Sequence, residues 1–293
     1  MLKKGQLVTL PDGVMLVIPT RIMPFALSPL ISIPGKLRMA LDFVIPARRD
    51  GKDETIADFI GRRLGAEAVD RLADPLMSGI YNAESDRQSV LATFPRYRTI
   101  EEQHGSLIRG MMAARRARKN MPAPPAGEKR HGFFVSLRGG TAELSDTLAA
   151  RLSGDLRLNA AVKALDLLEG GGYRLTLADG ETVEVDQVIL TTPAFVSADL
   201  LADLAPEASE RLAAIRYLST GTVSLAYRAD QIGHPLNGFG LVIPRSEKRS
   251  INAVTWTSTK FDHRAPEGYV LLRVFFGGAR SPQMMEHNDS GAQ

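Results

Sequence analysis

Two glycine clusters, Gly170-Gly171-Gly172 and Gly238-Phe239-Gly240, are where the backbone could approach a phosphate closely. Neither has GxGxxG spacing between a strand and a helix: the first precedes a hairpin pattern and the second enters a strand. The histidines, His104, His131, His234, His263 and His287, are scattered without metal-ligand spacing. The chain has no cysteine, so thiolate ligands, disulfides and a cysteine nucleophile are excluded. Neither a nucleophile elbow nor a P-loop is present. Acid–base chemistry would therefore have to be assembled in space from residues distant in sequence. Two patterns remain. Thr255, Thr257 and Thr259 alternate with Val254, Trp256 and Ser258, giving a strand with one hydroxyl-rich face. Arg109, Arg115, Arg116, Arg118 and Lys119 crowd the C-terminal half of a helix predicted over Ile100–Asn120. There they suit the negative end of the helix dipole or an anionic lipid surface.

The elements that must position these residues come from a chain of 293 residues that is 44% hydrophobic, enough for one large domain or two ordinary ones. A net charge of +3 gives no reason to expect a nucleic-acid partner. The lack of cysteine fits a reducing compartment, and the cytoplasm is the expected location. Gln6, Asp12 and Gly13 interrupt the apolar run a secretory signal needs, so no export is expected. No apolar stretch reaches the ~18 residues of a membrane-spanning helix. Ile22–Gly35 is free of charge but broken by Pro24, Pro29 and Pro34, so it could lie on a bilayer without crossing it.

In chain order, Leu7–Thr9 and Val14–Ile18 are predicted to form a hairpin around Pro11-Asp12-Gly13, delivering Arg21 to a loop entrance. Helical periodicity follows from Ile22 to about Pro125, with Ile56, Phe59, Ile60 and Leu64 on one face and Asp53 or Thr55 as the cap. Pro122–Gly127 is a linker. Beyond it the pattern becomes α/β. Phe133–Leu137, Leu156–Leu158 and Val162–Leu165 are strand-like, and Thr141–Leu152 is a helix with Leu144, Leu148 and Leu152 on one face. Tyr173–Leu177 and Thr182–Val185 form a hairpin around Asp179-Gly180, and Val188–Leu190 has the uninterrupted apolar character of a buried central strand. Pro206 starts a helix reaching Ile215, and Val223–Tyr227, Gly240–Ile243, Ile251–Thr257 and Tyr269–Phe276 make a last sheet. The expected fold class is α+β / α/β.

The stretch SGIYNAESDRQSVLATFPRYRTIEEQHGSLI, from Ser78 to Ile108, resembles a signature of the flavin-dependent protoporphyrinogen and coproporphyrinogen oxidases of haem synthesis. PTRIMPF at Pro19–Phe25, SLRGG at Ser136–Gly140, VILTTPA at Val188–Ala194, GFG at Gly238–Gly240 and RAPEG at Arg264–Gly268 follow in that family's order. The resemblance covers nearly the whole chain.

It implies an FAD-linked layout. Residues 1–21 and 215–280 would form a mixed-sheet substrate domain, 22–125 a helical, membrane-facing insert and 126–214 the returning part of an FAD-binding domain, with 281–293 an unpatterned tail. The family's N-terminal GxGxxG unit and final flavin-contacting segment have no counterpart here, so the chain looks like the middle of such an enzyme. By alignment of motifs the resemblance puts Val162 where a backbone meets the adenine of FAD, and Val242, Thr255 and Phe275 where relatives line the porphyrinogen pocket. Relatives often carry a larger aliphatic residue in place of Thr255. Arg21 stands where some bacterial relatives carry Lys, and would pair with a substrate propionate; the eukaryotic type puts its arginine two residues later, where Met23 stands. No catalytic residue and no metal ligand is assignable. The implied reaction is FAD-dependent oxidation of protoporphyrinogen IX or coproporphyrinogen III with oxygen as acceptor, with peripheral membrane contact through Ile22–Ile33 and Arg109–Lys119. A homodimer is left open. The rival readings are a non-catalytic, membrane-associated tetrapyrrole-binding protein and a related flavin desaturase or amine oxidase.

Overall fold

The computed structural model describes residues 1–11, 14–15, 17–81, 84–120 and 135–286. The expected turn residues Asp12 and Gly13, the linker Pro122–Gly127, the strand start at Phe133 and the end of the tail lie outside the described residues. The chain divides into two units, Met1–Arg138 with Leu218–Gln293, and Gly139–Tyr217.

Two short antiparallel hairpins open the first unit: β1 (Leu2–Lys3) pairs with β2 (Gln6–Leu7), and β3 (Val14–Met15) with β4 (Ile18–Pro19). The sequence pairs Leu7–Thr9 with Val14–Ile18, but each half instead folds back on itself. Lys4 and Gly5 both take positive φ, the two-residue turn whose twist matches that of the flanking strands.

The helical region follows as α1 (Ile22–Leu27), α2 (Ile33–Ala40), a 3₁₀ turn (Leu41–Phe43), α3 (Ile56–Leu64) and α4 (Ala66–Ala68). Thr55 caps α3 by accepting the Asp58 N–H at 3.0 Å. A π-helical turn, Val69–Ala73, joins α4 to α5 (Asp74–Tyr81). It contains Arg71, whose carbonyl lies four residues before Pro75; proline has no N–H to donate to it and crowds it. α6 (Val90–Thr93), α7 (Pro95–His104) and α8 (Leu107–Lys119) complete the region. Ile56, Phe59, Ile60 and Leu64 are each at most 1% exposed, so α3 is the buried spine.

Beneath that core lies an ion network. The Arg63 guanidinium donates from Nε to Asp42 Oδ1 at 2.6 Å, and to the carbonyls of Asp42 and Gly105 at 2.8 Å each. Asp42 Oδ2 also accepts Ser106 Oγ at 2.6 Å and the Ile108 N–H at 2.9 Å. Both side chains are 0% exposed, and each lone pair and proton has a partner, which buried charge requires. Next to it, Glu101 accepts Arg62 Nη1 at 2.6 Å, and Arg98 Nη1 reaches Glu54 at 2.8 Å. Phe94 and Tyr97 stack with centroids 5.1 Å apart. The stretch Phe94–Ser106 thus fastens α7 and α8 to α3.

In the second unit, α9 (Ala142–Arg151) matches the expected helix. β5 (Val162–Leu167), β6 (Tyr173–Leu177) and β7 (Thr182–Val185) form an antiparallel meander, with Gly180 at φ +91° in the second turn. α10 (Ala194–Leu201) and α11 (Pro206–Ala213) follow, Ser209 Oγ donating to the Ala198 carbonyl at 2.8 Å. Val188–Leu190 is not the buried strand its composition suggests: no strand pairs with it among the described residues, and Ile189 is 88% exposed. A strand exists only where a neighbour takes its N–H and C=O groups. Leu156–Leu158 is likewise outside any strand.

Returning to the first unit, β8 (Thr220–Arg228), β9 (Gly240–Val242), β10 (Ile251–Trp256), α12 (Thr257–Lys260) and β11 (Tyr269–Gly277) build a four-stranded sheet in the order β8-β11-β10-β9. The expected mixed sheet is corrected here: among the described residues every pairing in it is antiparallel, β11 returning to lie between β10 and the distant β8. The threonine alternation also stops early, because Thr257 starts α12. Glu247, in the β9–β10 turn, accepts the backbone N–H of Lys4 at 2.6 Å and of Gly5 at 3.1 Å, and Arg71 at 3.4 Å. These bonds hold its carboxyl below the usual value. Arg245 pairs with Glu84 at 2.9 Å, so two ion contacts fix the sheet edge to the helices.

Candidate functional site

The strand register decides which side chains share a face. Phe275 stands opposite Thr222 on β8 and Ala253 on β10, and Ala253 stands opposite Val242 on β9. The adjacent row is Ser224, Arg273, Thr255 and Gly240. Directly opposed residues point the same way, as do residues two apart, so both rows lie on one face. Val242, Thr255 and Phe275, on the three successive strands β9, β10 and β11, therefore come together.

That face is closed at one end and open at the other. At the β9 end a Cβ placed on Gly79 of α5 would lie 3.2 Å from Val242 Cγ1, so the glycine of SGIY lets helix and strand touch. Val242 packs against the helical core, and Ala253 is 6% exposed. Phe275 and Thr255 are half-buried, and Arg273, Ser224 and Thr222 are exposed. Gly240 takes φ +150°, and a Cβ there would fall 2.3 Å from the Val254 carbonyl oxygen, so the last residue of GFG has to be glycine. On the opposite face, Trp256 rests on His234 with ring centroids 4.8 Å apart. The surface combines an aromatic wall, hydroxyls and a cation, a set suited to a flat apolar ligand with anionic rim groups.

Arg21 is placed elsewhere in the unit, exposed, at the start of α1 between β4 and α8. Its neighbour Thr20 accepts Arg115 of α8 through its carbonyl at 3.1 Å. Around it the surface is apolar: Ile22, Met23, Leu27, Ile33 and Leu37 are 56–79% exposed. A cleft of about 190 Å³ opens among Ile22, Phe25, Leu37, Phe43 and Ile108, with Lys36 at its edge. Arg109 lies over the Phe43 ring, and Arg115 and Arg116 are exposed on the same helix. No helix among the described residues is long and apolar enough to cross a membrane.

Val162 is half-buried in the second unit, opposite Leu177 and beside a register shift in β5. The Gly139-Gly140 turn before α9 has the look of a phosphate-binding turn, with Gly140 at φ +95°. However, the Gly139 N–H already donates to the Glu143 carboxylate at 2.8 Å, and that charge opposes a pyrophosphate. The Gly139-Gly140 turn therefore does not fit the phosphates of a dinucleotide.

Arg273 was not singled out by the sequence reading. The signal available was a lone cation inside the apolar run Tyr269–Phe276.

A chain with this antiparallel sheet and helical region matches the flavin oxidoreductase type. The family model for flavin-containing amine oxidoreductases matches residues 3–290, and the chain belongs to that family. Among its relatives, coproporphyrinogen III oxidase of Bacillus subtilis is 34% identical over 285 residues, covering 96% of this chain and 59% of the relative. The chloroplastic protoporphyrinogen oxidase of Nicotiana tabacum is 31% identical over 287 residues, covering 93% and 52%. An Exiguobacterium crystal structure, provisionally described as a protoporphyrinogen oxidase, superposes with a TM-score of 0.78 at 30% identity, covering 96% of this chain and 58% of that one. A putrescine oxidase, at 14% identity and a TM-score of 0.56, shares the fold. The chain spans between half and two thirds of the length of these relatives.

Proposed function

We propose that this chain forms the substrate-binding part of an FAD- and oxygen-dependent porphyrinogen oxidase, acting on coproporphyrinogen III or protoporphyrinogen IX. What carries the reading is the sheet face on which Val242, Thr255 and Phe275 converge beside an open, hydroxyl-bearing surface. Phe275 takes the macrocycle against its ring, Val242 with α5 limits how far it slides, and Thr255 offers a hydroxyl at the rim. Arg21 pairs with a propionate and Val162 contributes to the adenine contact. Bound flavin supplies the hydride acceptor, while these residues orient the ligand and exclude water around it. Activity also requires pyrophosphate contacts of a kind the Gly139-Gly140 turn does not offer.

The exposed Ile22, Met23, Leu27, Ile33 and Leu37, together with exposed Arg109, Arg115 and Arg116, support peripheral contact with an anionic bilayer through Ile22–Ile33 and Arg109–Lys119. The test of the main reading compares the 293-residue chain with its open reading frame extended at both genomic ends, assaying flavin absorbance and porphyrinogen oxidation. Flavin and turnover in the extended protein are expected. Porphyrin binding without flavin or turnover in either form would favour a binding protein instead.

A further inference from the structure

On an antiparallel sheet a charged residue is stabilised by an opposite charge or a long polar side chain directly across the strand. Arg273 has neither. It interrupts an apolar run between Leu272 and Val274, and its cross-strand partners are Thr255 and Ser224. Its guanidinium has no ion pair or hydrogen bond among the described residues, although most arginines of the helical region are bound to carboxylates or carbonyls. Its side chain is exposed, on the same face as Phe275 and two residues from it along β11, about 7 Å by strand geometry. The hydroxyl-bearing side chains on either side accept or donate hydrogen bonds but cannot neutralise the charge.

From this we infer that Arg273 is a specificity residue that grips one rim carboxylate of the tetrapyrrole lying against Phe275; the inference rests on the function proposed above. A planar guanidinium meets a carboxylate through two parallel N–H···O bonds, and Thr255 and Ser224 flank the pair so that their hydroxyls complete the oxygen shell. Arg21, at the N-cap of α1, belongs to a different element and serves a different carboxylate. A ligand with more rim carboxylates presents one to Arg273 in more orientations, so Arg273 favours coproporphyrinogen over a ligand with fewer propionates.

The test titrates the purified 293-residue chain with coproporphyrin III, the stable oxidised form of the substrate, and with its tetramethyl ester, which keeps the ring and removes the charges. Wild type should bind the acid more tightly than the ester. Arg273→Gln should weaken the acid about tenfold and leave the ester unchanged, and Arg273→Lys should recover part of the loss because it restores charge without the planar fork. Because Arg273 is exposed and unpaired, circular dichroism should show all three proteins equally folded. Equal binding of the acid by wild type and Arg273→Gln overturns the assignment while leaving the porphyrin reading intact. Equal losses for acid and ester also overturn it, since they report shape and not charge. Failure of wild type to bind either compound defeats the proposed function itself, and this inference with it.

Discussion

α3 and α9 share one sequence pattern and have opposite fates. Each repeats apolar residues at helical spacing, yet Phe59 and Ile60 of α3 are 0% exposed, whereas Leu144, Leu148 and Leu152 on and just after α9 are 56–61% exposed. The ion pairs differ the same way. Arg63–Asp42 is fully buried with every polar atom engaged, and Arg174–Glu184, across β6 and β7, has side chains 45% and 58% exposed. Amphipathic spacing tells which face is apolar, and only the surrounding chain decides whether anything covers it. Among the described residues the helical region covers its apolar face, whereas α9 of the Gly139–Tyr217 unit leaves its leucines exposed.

The largest effect should come from breaking the helical region. Asp42→Ala strands the buried Arg63 guanidinium and takes a partner from Ser106 and Ile108, so denaturant unfolding followed by tryptophan fluorescence should show a loss of about 3–5 kcal/mol. A loss under 1 kcal/mol would mean the network is wetter than its geometry implies. Gly240→Val forces a side chain into the Val254 carbonyl and should cost about 2–3 kcal/mol, with the strand edge loosening first in amide exchange. The Glu247 clamp gives a pH signature. Its carboxyl is held low first by the Lys4 N–H, so the contribution is complete above the ordinary glutamate range near pH ~4.3 and is lost as pH falls through the lowered value. Acid unfolding of wild type should therefore include a step that Glu247→Gln lacks.

The smallest effects belong to the Gly139–Tyr217 unit. Arg174→Ala should change stability by no more than about 0.5 kcal/mol, as exposed pairs do. Leu144→Gln with Leu148→Gln should leave the melting midpoint nearly unchanged and lower binding of an apolar dye. A marked destabilisation would show that α9 is covered after all.

Much of this architecture was legible beforehand, for local reasons. Thr55 as the cap of α3, the β6–β7 hairpin and Pro206 at the start of α11 all follow from residues acting within a turn or two. What failed depended on partners. Val188–Leu190 reads as a buried strand, but nothing pairs with it here. The Thr255–Thr259 alternation cannot show that α12 begins at Thr257. Asp42, Arg63 and Glu101 gave no sign in sequence of meeting, because burial of a charge is decided by contacts across 21 to 64 positions, from Arg63 with Asp42 to Ser106 with Asp42. Motif likeness selected Val242, Thr255 and Phe275, and the register laid them on one face. It could not select Arg273, whose only mark is a cation where β11 is otherwise apolar.

The central claim is that a tetrapyrrole binds on this sheet face. Trp256, the single tryptophan, follows Thr255 on β10 with its ring on the opposite face, close enough for energy transfer to a porphyrin to quench it. Titration of wild type and Phe275→Ala with coproporphyrin III is the most direct test. The account expects a saturable, one-to-one quench in wild type that Phe275→Ala weakens at least about tenfold, ~1.4 kcal/mol. Quenching that does not saturate, or that Phe275→Ala leaves unchanged, would contradict it.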